Sequence, residues 1–429
     1  MGVNIPRRNA TLYLAVFGSL QLVFLWVFRE RFGVILPILG LVLLVALLAL
    51  LARASGAWSL KLGLLAGLIA ITTFGPSVVA MAARHHTGLT FEYDGLAIDE
   101  VAVDRLIHGH AIYGVDWSGT QVAGYASVWG GVDLHLYGHL PLMPLSAVPV
   151  RLAADLLHLP FDYRMVVLLF SLIAMGAIAS LPVPPPARFM VAIAILLNPA
   201  LSLGAWTGHD DICYLAMFLI GLSLLGRRRL LLATVAFGIA AALKPFVLVV
   251  FPLLLVIIWK RSGRSARERG RDTAISAIAF GLPMLLSVGP FLIVNAPAFI
   301  HDIVIYFTAG LPISGFGLGG LLVALHLVPS DARFSFAPLE LAALLPAYWF
   351  GLRALARRPT MAQFLASYCL ALFAILFFAR YFADNYLAAL VALVLCIPAL
   401  GPVAFQLRGY GPFPWLLGRL EAFGPSVAR

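Results

Sequence analysis

Apolar runs of membrane-spanning length recur along almost the whole chain. They lie near 10–28, 33–52, 61–83, 163–182, 189–206, 211–226, 273–295, 338–356, 361–379 and 386–402. A helix needs about 17–25 mainly apolar residues to cross a hydrocarbon core of ~30 Å. We therefore predict an all-α fold, a polytopic transmembrane bundle of about 11–12 membrane helices.

Composition excludes the main classes of soluble protein. Hydrophobic residues make up 62% and charged residues 11% of the 429 positions, against about 45–50% and 25% in soluble domains. A water-soluble globule has too little interior to hold that excess. The net charge of +10 comes from basic residues that punctuate the apolar runs instead of gathering on one soluble face, so no nucleic-acid partner is expected. The expected surroundings are membrane lipids.

Two stretches do not fit a simple crossing. The stretch 230–259 is too long for one, and Lys244 and Pro245 interrupt it. Proline breaks a helix and lysine is costly in lipid, which favours a broken or re-entrant pair of half-length helices over one bent span. The run 140–157 contains three prolines, an arginine and an aspartate. It is predicted to be an amphipathic element in the outer interface.

Basic residues set the predicted orientation, because cytoplasmic loops are enriched in lysine and arginine. With both termini in the cytoplasm of a bacterial-type plasma membrane, most basic residues lie inside. All ten histidines and most acidic residues then lie at the outer face. The predicted organisation has three parts. An N-terminal hairpin covers 1–59, a core with outer loops at 84–162 and 296–337 covers 60–402, and a cytoplasmic tail covers 403–429.

The first outer loop contains the candidate catalytic carboxylates. Asp94 precedes Ile98, Arg105 and Leu106, whose spacing predicts a short amphipathic helix. A carboxylate just above the membrane could remove a proton from a hydroxyl carried by a lipid or a glycan. Asp94 is the preferred base and Asp99 the competing candidate. The alternative is that these acids only keep an outer loop hydrated.

Candidate substrate-binding residues lie near the predicted outer helix ends. They are Tyr137, His139, His209, Asp210, Asp211, Lys244, Arg380 and Asn385. Burying the Lys244 ammonium in a membrane costs at least ~2.5 kcal/mol. It must therefore face a cavity, a carboxylate or a lipid phosphate, unless it pairs with carbonyls that Pro245 leaves free.

The other candidates have structural alternatives. Asp210 and Asp211 either cap a helix or contact substrate, and with His209 they could coordinate a divalent cation. No histidine spacing is typical of a metal site, so no metal is assigned. Arg380 either stabilises a departing anion or anchors a helix end. The glycines of 310–320 form either a flexible lid or a close helix contact.

The order of several short motifs resembles the GT-C glycosyltransferases, and within them family 87. The elements are an acidic residue one loop helix before Gly109-x-x-x-Tyr113, Tyr137-x-x-x-Pro-Leu, an aspartate opening an outer helix, and Lys244-Pro245. The resemblance covers roughly residues 60–400. Two features depart from the family pattern: spans precede the acidic residue, and Phe246 stands where the family often has glutamine.

The resemblance implies a function and a mechanism. It implies that a hexose, by preference mannose, passes from a polyprenyl-phosphate donor to a lipid or glycan acceptor outside the cytoplasm, with inversion at the anomeric carbon. It places Asp94 at the family's catalytic carboxylate. No further cofactor is firmly implied. The alternatives are a transporter or flippase of a lipid-linked sugar without catalysis, and a scaffold in cell-envelope assembly.

Overall fold

A computed structural model describes residues 7–52, 58–87, 93–117, 120, 122, 136–260, 265–401 and 405. The α-helices in chain order are α1 Arg7–Val27, α2 Arg29–Phe32, α3 Ile35–Ala52, α4 Trp58–Ile69, α5 Gly75–Thr87, α6 Asp94–Ile107, α7 Leu142–Leu156, α8 Arg164–Ala179, α9 Pro185–Leu196, α10 Pro199–Thr207, α11 Asp211–Gly226, α12 Leu230–Leu243, α13 Phe251–Trp259, α14 Ala266–Ile300, α15 Leu318–Ala324, α16 Ala337–Arg357, α17 Met361–Phe378 and α18 Asp384–Leu400. π-Helical turns cover Ala70–Phe74 and His301–Gly310, and a 3-10 segment covers Pro245–Val250. The predicted tail 403–429 lies outside the described residues apart from Phe405.

The chain is an all-α, multi-pass membrane protein, as predicted. Among the described residues, five helical segments are long and apolar enough to cross a membrane, or six if the bent pair α9–α10 is one span. Shorter apolar helices of 10–17 residues accompany them. The prediction of about 11–12 membrane helices counts these shorter helices as crossings.

Long helices expose apolar side chains where lipid would surround them. On α14, Ile293 and Val294 are 87% and 81% exposed, and Trp349 and Phe350 on α16 are also exposed. Water would disfavour such a surface, whereas lipid tails are as apolar as these side chains. The central core lies instead around α11 and α12, most of whose residues are buried.

The run 189–206, which has membrane-spanning length, is bent near its middle. Its two helices, α9 and α10, meet at 49°. Pro199 cannot donate a backbone hydrogen bond, and the Asn198 side chain accepts one from the Ala200 amide, capping the new helix. The predicted break in 230–259 is confirmed: α12 ends at Leu243, and a 3-10 segment then begins at Pro245.

The predicted second outer loop, 296–337, is helical through its first part, because α14 and the π-helical turns continue to Gly310. A parallel strand pair follows, β1 Ser314–Gly315 and β2 Tyr381–Phe382, which the sequence did not predict. A Cβ on Gly315 would stand 2.1 Å from the Phe382 carbonyl oxygen. The glycines of this stretch therefore allow close backbone packing, which was the alternative to a lid.

Two stretches of the predicted first outer loop are helical. The helix α6 begins at Asp94, and 142–156 forms the helix α7, which packs against α6. The start of α6, the start of α11, the end of α12 and the start of α18 come together at one end of the bundle.

Gly238 provides a test of the contact between α12 and α14. A Cβ there would lie 2.3 Å from the Phe280 carbonyl oxygen, whereas nothing lies within 4 Å of a Cβ at Gly281. Alanine normally favours a helix over glycine by up to about 1 kcal/mol. We expect Gly238→Ala to destabilise the detergent-solubilised protein by about 1–3 kcal/mol because it overpacks backbone, while Gly281→Ala is neutral or stabilising. Thermal unfolding measures both. Equal melting temperatures for the two variants would contradict this packing.

Candidate active site

Local backbone chemistry places Lys244 at the end of α12. A residue before proline is pushed out of the α region, and Lys244 accordingly has extended dihedrals, φ −137° and ψ 118°. Its side chain therefore leaves the line of the helix. Lys244 is 6% exposed, and its Nζ lies 5.4 Å from the centre of the Tyr386 ring.

A tight turn places two aspartates opposite this lysine. The helix α10 ends with Gly208 in the left-handed region, φ 90°. A Cβ at Gly208 would also stand 2.2 Å from a Leu96 methyl carbon, so only glycine fits here. His209 and Asp210 follow, and α11 starts at Asp211. The Asp210 side chain makes no capping hydrogen bond, so its carboxylate is free to pair elsewhere.

The lysine and the aspartates form a buried ion cluster. The Nζ of Lys244 lies 2.8 Å from Oδ1 of Asp210 and 4.0 Å from Oδ1 of Asp211. Asn385, at the start of α18, donates its side-chain amide to Oδ2 of Asp211 at 2.7 Å. The pKa of Asp210 is lowered overall: burial raises it, but the neighbouring Lys244 ammonium lowers it more.

The helix α6 adds a third carboxylate and an imidazole. Asp99 is 1% exposed, and its Oδ1 accepts a hydrogen bond from the Tyr137 hydroxyl at 2.8 Å. Nδ1 of His139 lies 3.0 Å from the same oxygen and 3.9 Å from Oδ2 of Asp210. Tyr113 donates its hydroxyl to the His139 carbonyl at 2.7 Å. We call Asp99, His139, Asp210, Asp211 and Lys244 the aspartate–lysine cluster.

The imidazole of His139 lies between the buried carboxylates and solvent. Its side chain is 23% exposed. Burial by itself lowers the pKa of His139, but the Asp99 carboxylate raises it, and the net direction is upward. Nearby carboxylates thus favour a positive charge on this ring.

Asp94 lies at the more open edge of the cluster. It is half-buried, and its Oδ1 accepts a hydrogen bond from the Gly95 amide at 2.8 Å. Burial raises the pKa of Asp94, against the opposing effects of that amide and of His139. Beside it, the Tyr93 ring stacks on His209 with centroids 3.6 Å apart. Burial lowers the pKa of His209 to about 4, so this imidazole is neutral.

The structure assigns Arg380 a different setting from the one predicted. Its guanidinium donates to the carbonyls of Leu311, Ala332 and Phe334, and the residue is 2% exposed. These bonds hold the segments before and after the strand β1 against the turn between α17 and β2. Its role beside a departing phosphate stays a prediction.

A second buried group of charged side chains is fully paired, and it provides a comparison for the aspartate–lysine cluster. Arg84 makes a two-pronged contact with Glu100 at 2.7 and 2.8 Å, and Asp162 pairs with Arg164 at 2.7 Å. These four side chains balance in charge and fasten α6 to α5 and α8. None of their carboxylate oxygens is among the buried atoms lacking a hydrogen bond in the described parts of the chain.

The carboxylates of the aspartate–lysine cluster are not fully paired. Three carboxylates face one ammonium. Within the described residues, Oδ2 of Asp99, Oδ2 of Asp210 and Oδ1 of Asp211 have no hydrogen-bond partner. The Tyr163 hydroxyl lies close enough to Asp99 to act on it electrostatically, but it makes no hydrogen bond of normal geometry. Buried polar atoms are nearly always paired, so three unpaired carboxylate oxygens in one cluster make it a candidate functional site.

Two hollows lie elsewhere in the described structure. One of about 490 Å³ is lined by polar residues of α6 and α7, including Glu100, Asp104 and Arg151. The other, about 390 Å³, is apolar and lies between α4, α8 and α9, with Arg188 in its wall. Residues of the aspartate–lysine cluster line neither of them.

Comparison of the chain with protein-family models, with curated proteins and with solved structures finds no match.

The structure unites most of the predicted site residues and adds several that the sequence analysis missed. Asp94, Asp99, Tyr137, His139, His209, Asp210, Asp211, Lys244 and Asn385 gather at one end of the bundle, whereas Arg380 serves the loop packing. Tyr93, Tyr163 and Tyr386 were missed, because isolated tyrosines beside apolar runs are also typical of membrane interfaces.

Asp210 and Asp155 form a matched test of the buried pair. Asp155 meets Arg151 at 3.0 Å on an exposed surface, whereas Asp210 meets Lys244 at 2.8 Å in the interior. Asp210→Asn should lower the free energy of unfolding by about 3 kcal/mol, the lower end of the range for a broken buried ion pair. The loss is at the lower end because Asp211 still offers Lys244 a negative charge. Asp155→Asn should cost no more than about 1 kcal/mol. Thermal unfolding in detergent compares them. An equally small loss of stability in both variants would show that the contact between Asp210 and Lys244 does not stabilise the fold strongly.

Proposed function

We propose that this protein is an integral membrane glycosyltransferase of the GT-C type. It transfers a hexose, by preference mannose, from a polyprenyl-phosphate donor to a lipid or glycan acceptor on the extracytoplasmic face. The observation that supports this most is the position of Asp94. A half-buried carboxylate lies beside His139 and at the edge of a buried, incompletely paired ion cluster, in a bundle with a lipid-facing apolar surface.

The proposed topology follows from charge. Both termini are placed in the cytoplasm, and the shorter apolar helices are counted as crossings. The starts of α11 and α18 and the end of α12 then meet at the outer boundary of the membrane. A lipid-linked donor could there keep its prenyl tail in the bilayer while its sugar reaches the water.

Asp94 is the proposed base. It takes the proton from an acceptor hydroxyl, whose oxygen forms a bond to the anomeric carbon of the sugar. The bond from that carbon to the phosphate oxygen breaks, and polyprenyl phosphate leaves with the electron pair. Attack opposite the leaving group inverts the anomeric centre. Asp99, the competing candidate, is 1% exposed and already bonded to Tyr137 and His139, so it is assigned a positioning role.

Positive charge near the departing phosphate lowers the barrier because the phosphate gains negative charge in the transition state. His139 and Lys244 supply it in this proposal, in place of Arg380. His139 is the more exposed of the two, and Asp99 orients its ring. Lys244 contributes from within the cluster, where Asp210 holds it.

A transporter or flippase of the same lipid-linked sugar is the competing function. Transporters built from repeats place polar residues in corresponding positions of two related halves. Here the incompletely paired carboxylates collect in one cluster, which supports chemistry at a single site. The two proposals differ in the product: only the enzyme forms a new glycosidic bond.

Asp94→Asn tests the proposed base. With purified protein, polyprenyl-phosphate mannose and a panel of lipid acceptors, we expect turnover to fall about 10²–10⁴-fold, the usual contribution of a general base. Asp104→Asn, an exposed aspartate on the same helix, is the matched control and should keep turnover. Product formation by mass spectrometry is the measurement. Unchanged turnover in Asp94→Asn would remove Asp94 from the mechanism.

The pH profile gives a separate test. Asp94 acts as a carboxylate, so activity is lost as pH falls and the group becomes protonated. Because burial raises its pKa, kcat/KM should decline at a pH above the ordinary aspartate value of about 4. In Asp94→Asn the residual activity should lack this acidic limb. A wild-type limb at or below the ordinary value would contradict the assignment.

A further inference from the structure

The aspartate–lysine cluster carries more negative than positive charge. Its three carboxylates, on Asp99, Asp210 and Asp211, are all buried, and Lys244 supplies a single ammonium. Even a protonated His139 would leave one negative charge in excess. An uncompensated charge is very costly in an apolar interior, so a bound cation would be strongly favoured here.

Three residues of the cluster place possible metal-ligand atoms close together. One ligand atom each from Asp99, His139 and Asp210 lies within 4.8 Å of the others. Oδ2 of Asp210 has no hydrogen-bond partner among the described residues and lies 3.9 Å from Nδ1 of His139. Carboxylate and imidazole atoms bind a divalent metal at about 2.0–2.2 Å, so two opposite ligands stand about 4.2 Å apart. A shared ion would require the three atoms to lie slightly closer together than the 4.8 Å within which they now stand.

The surrounding contacts fit a ligand role. Lys244 binds Oδ1 of Asp210 and leaves Oδ2 available. Tyr137 binds Oδ1 of Asp99, while Oδ2 of Asp99 has no hydrogen-bond partner in the described structure. Such hydrogen bonds to ligating carboxylates are typical of metal sites. The partly exposed His139 provides an approach from solvent.

We propose that Asp99, His139 and Asp210 bind a divalent first-row cation, with Mn²⁺ as the preferred ion. Two carboxylates and one imidazole combine the oxygen ligands that suit Mn²⁺ with a nitrogen ligand that suits later metals. A doubly charged ion balances the three carboxylates and Lys244 when His139 is neutral. The cation displaces any proton from His139, since only the neutral ring is a ligand. With the ion bound, the ion itself and Lys244 would supply the positive charge that a protonated His139 gives in its absence. This inference depends on the coordination geometry and not on the proposed sugar transfer.

His301 and Asp302 provide the matched control. They form a contact of the same kind, with Nδ1 of His301 2.8 Å from Oδ1 of Asp302. The other oxygen of Asp302 accepts a hydrogen bond from the Gly114 amide at 2.7 Å. This pair therefore has no free oxygen to offer, and it lies outside the three-residue group that could hold a metal.

The test measures metal directly in purified, detergent-solubilised full-length protein. The metal-stripped wild type should bind about one equivalent of Mn²⁺, counted by equilibrium dialysis and by the electron paramagnetic resonance signal of free Mn²⁺. Asp99→Asn and His139→Gln should each weaken binding by roughly 100-fold or more, beyond the 10–100-fold typical of changes to residues that only support ligands. Asp302→Asn should bind like the wild type. Mg²⁺ and Zn²⁺ are compared as competitors.

Two outcomes would overturn the proposal: a wild type that binds none of these ions stoichiometrically, or Mn²⁺ binding that survives both Asp99→Asn and His139→Gln. Size-exclusion chromatography and a thermal unfolding curve show whether each variant is folded. If a variant does not fold, the wild type alone tests the site. Its melting temperature is measured with and without Mn²⁺, because a specifically bound ion stabilises the native state. A melting temperature that Mn²⁺ does not raise would also overturn the proposal. None of these measurements requires a sugar donor, so a protein that binds Mn²⁺ but transfers no sugar would refute the proposed function alone.

Discussion

An ammonium buried in an apolar helical bundle has to be neutralised by a specific partner, and the contact between Lys244 and Asp210 meets that need. It joins the end of α12 to the start of α11 at 2.8 Å. Pro245 turns the lysine out of its helix, and Gly208 brings the aspartate turn close to α6. The rest of the site is assembled on this pair: Asp99 and His139 approach from α6 and the segment before α7, and Asn385 approaches from α18.

Two buried charged groups among the described residues differ in how completely their members are paired. The group formed by Arg84, Glu100, Asp162 and Arg164 is balanced, and its carboxylate oxygens are bonded. The aspartate–lysine cluster is unbalanced and keeps unpaired carboxylate oxygens among its described contacts. Both are costly to bury. In the first group the paired side chains connect helices to one another. In the second group some carboxylate oxygens stay available to a ligand. This difference is why chemistry is proposed at the second group.

Local sequence rules predicted much of this arrangement, and tertiary packing decided the rest. The start of α6 at Asp94 and the break at Lys244 follow from helix spacing and proline chemistry. The sequence also indicated that Lys244 needs a partner, but it could not name Asp210, because that contact depends on how α11 and α12 pack. The 49° bend at Asn198 and the helical continuation past 296 were not expected. The carbonyl contacts of Arg380 were not expected for a similar reason, since these partners lie far from it in the sequence.

The central claim is that the edge of the aspartate–lysine cluster is where a lipid-linked sugar binds. An electron cryomicroscopy structure of the protein in a lipid nanodisc, with a non-reactive analogue of a polyprenyl-phosphate sugar, tests it most directly. The account predicts density for the sugar beside Asp94, for the phosphate beside His139, and for the prenyl chain leaving between helices into the bilayer. Density for the analogue at a different place, with Asp94 and His139 shut off from it, would contradict the account.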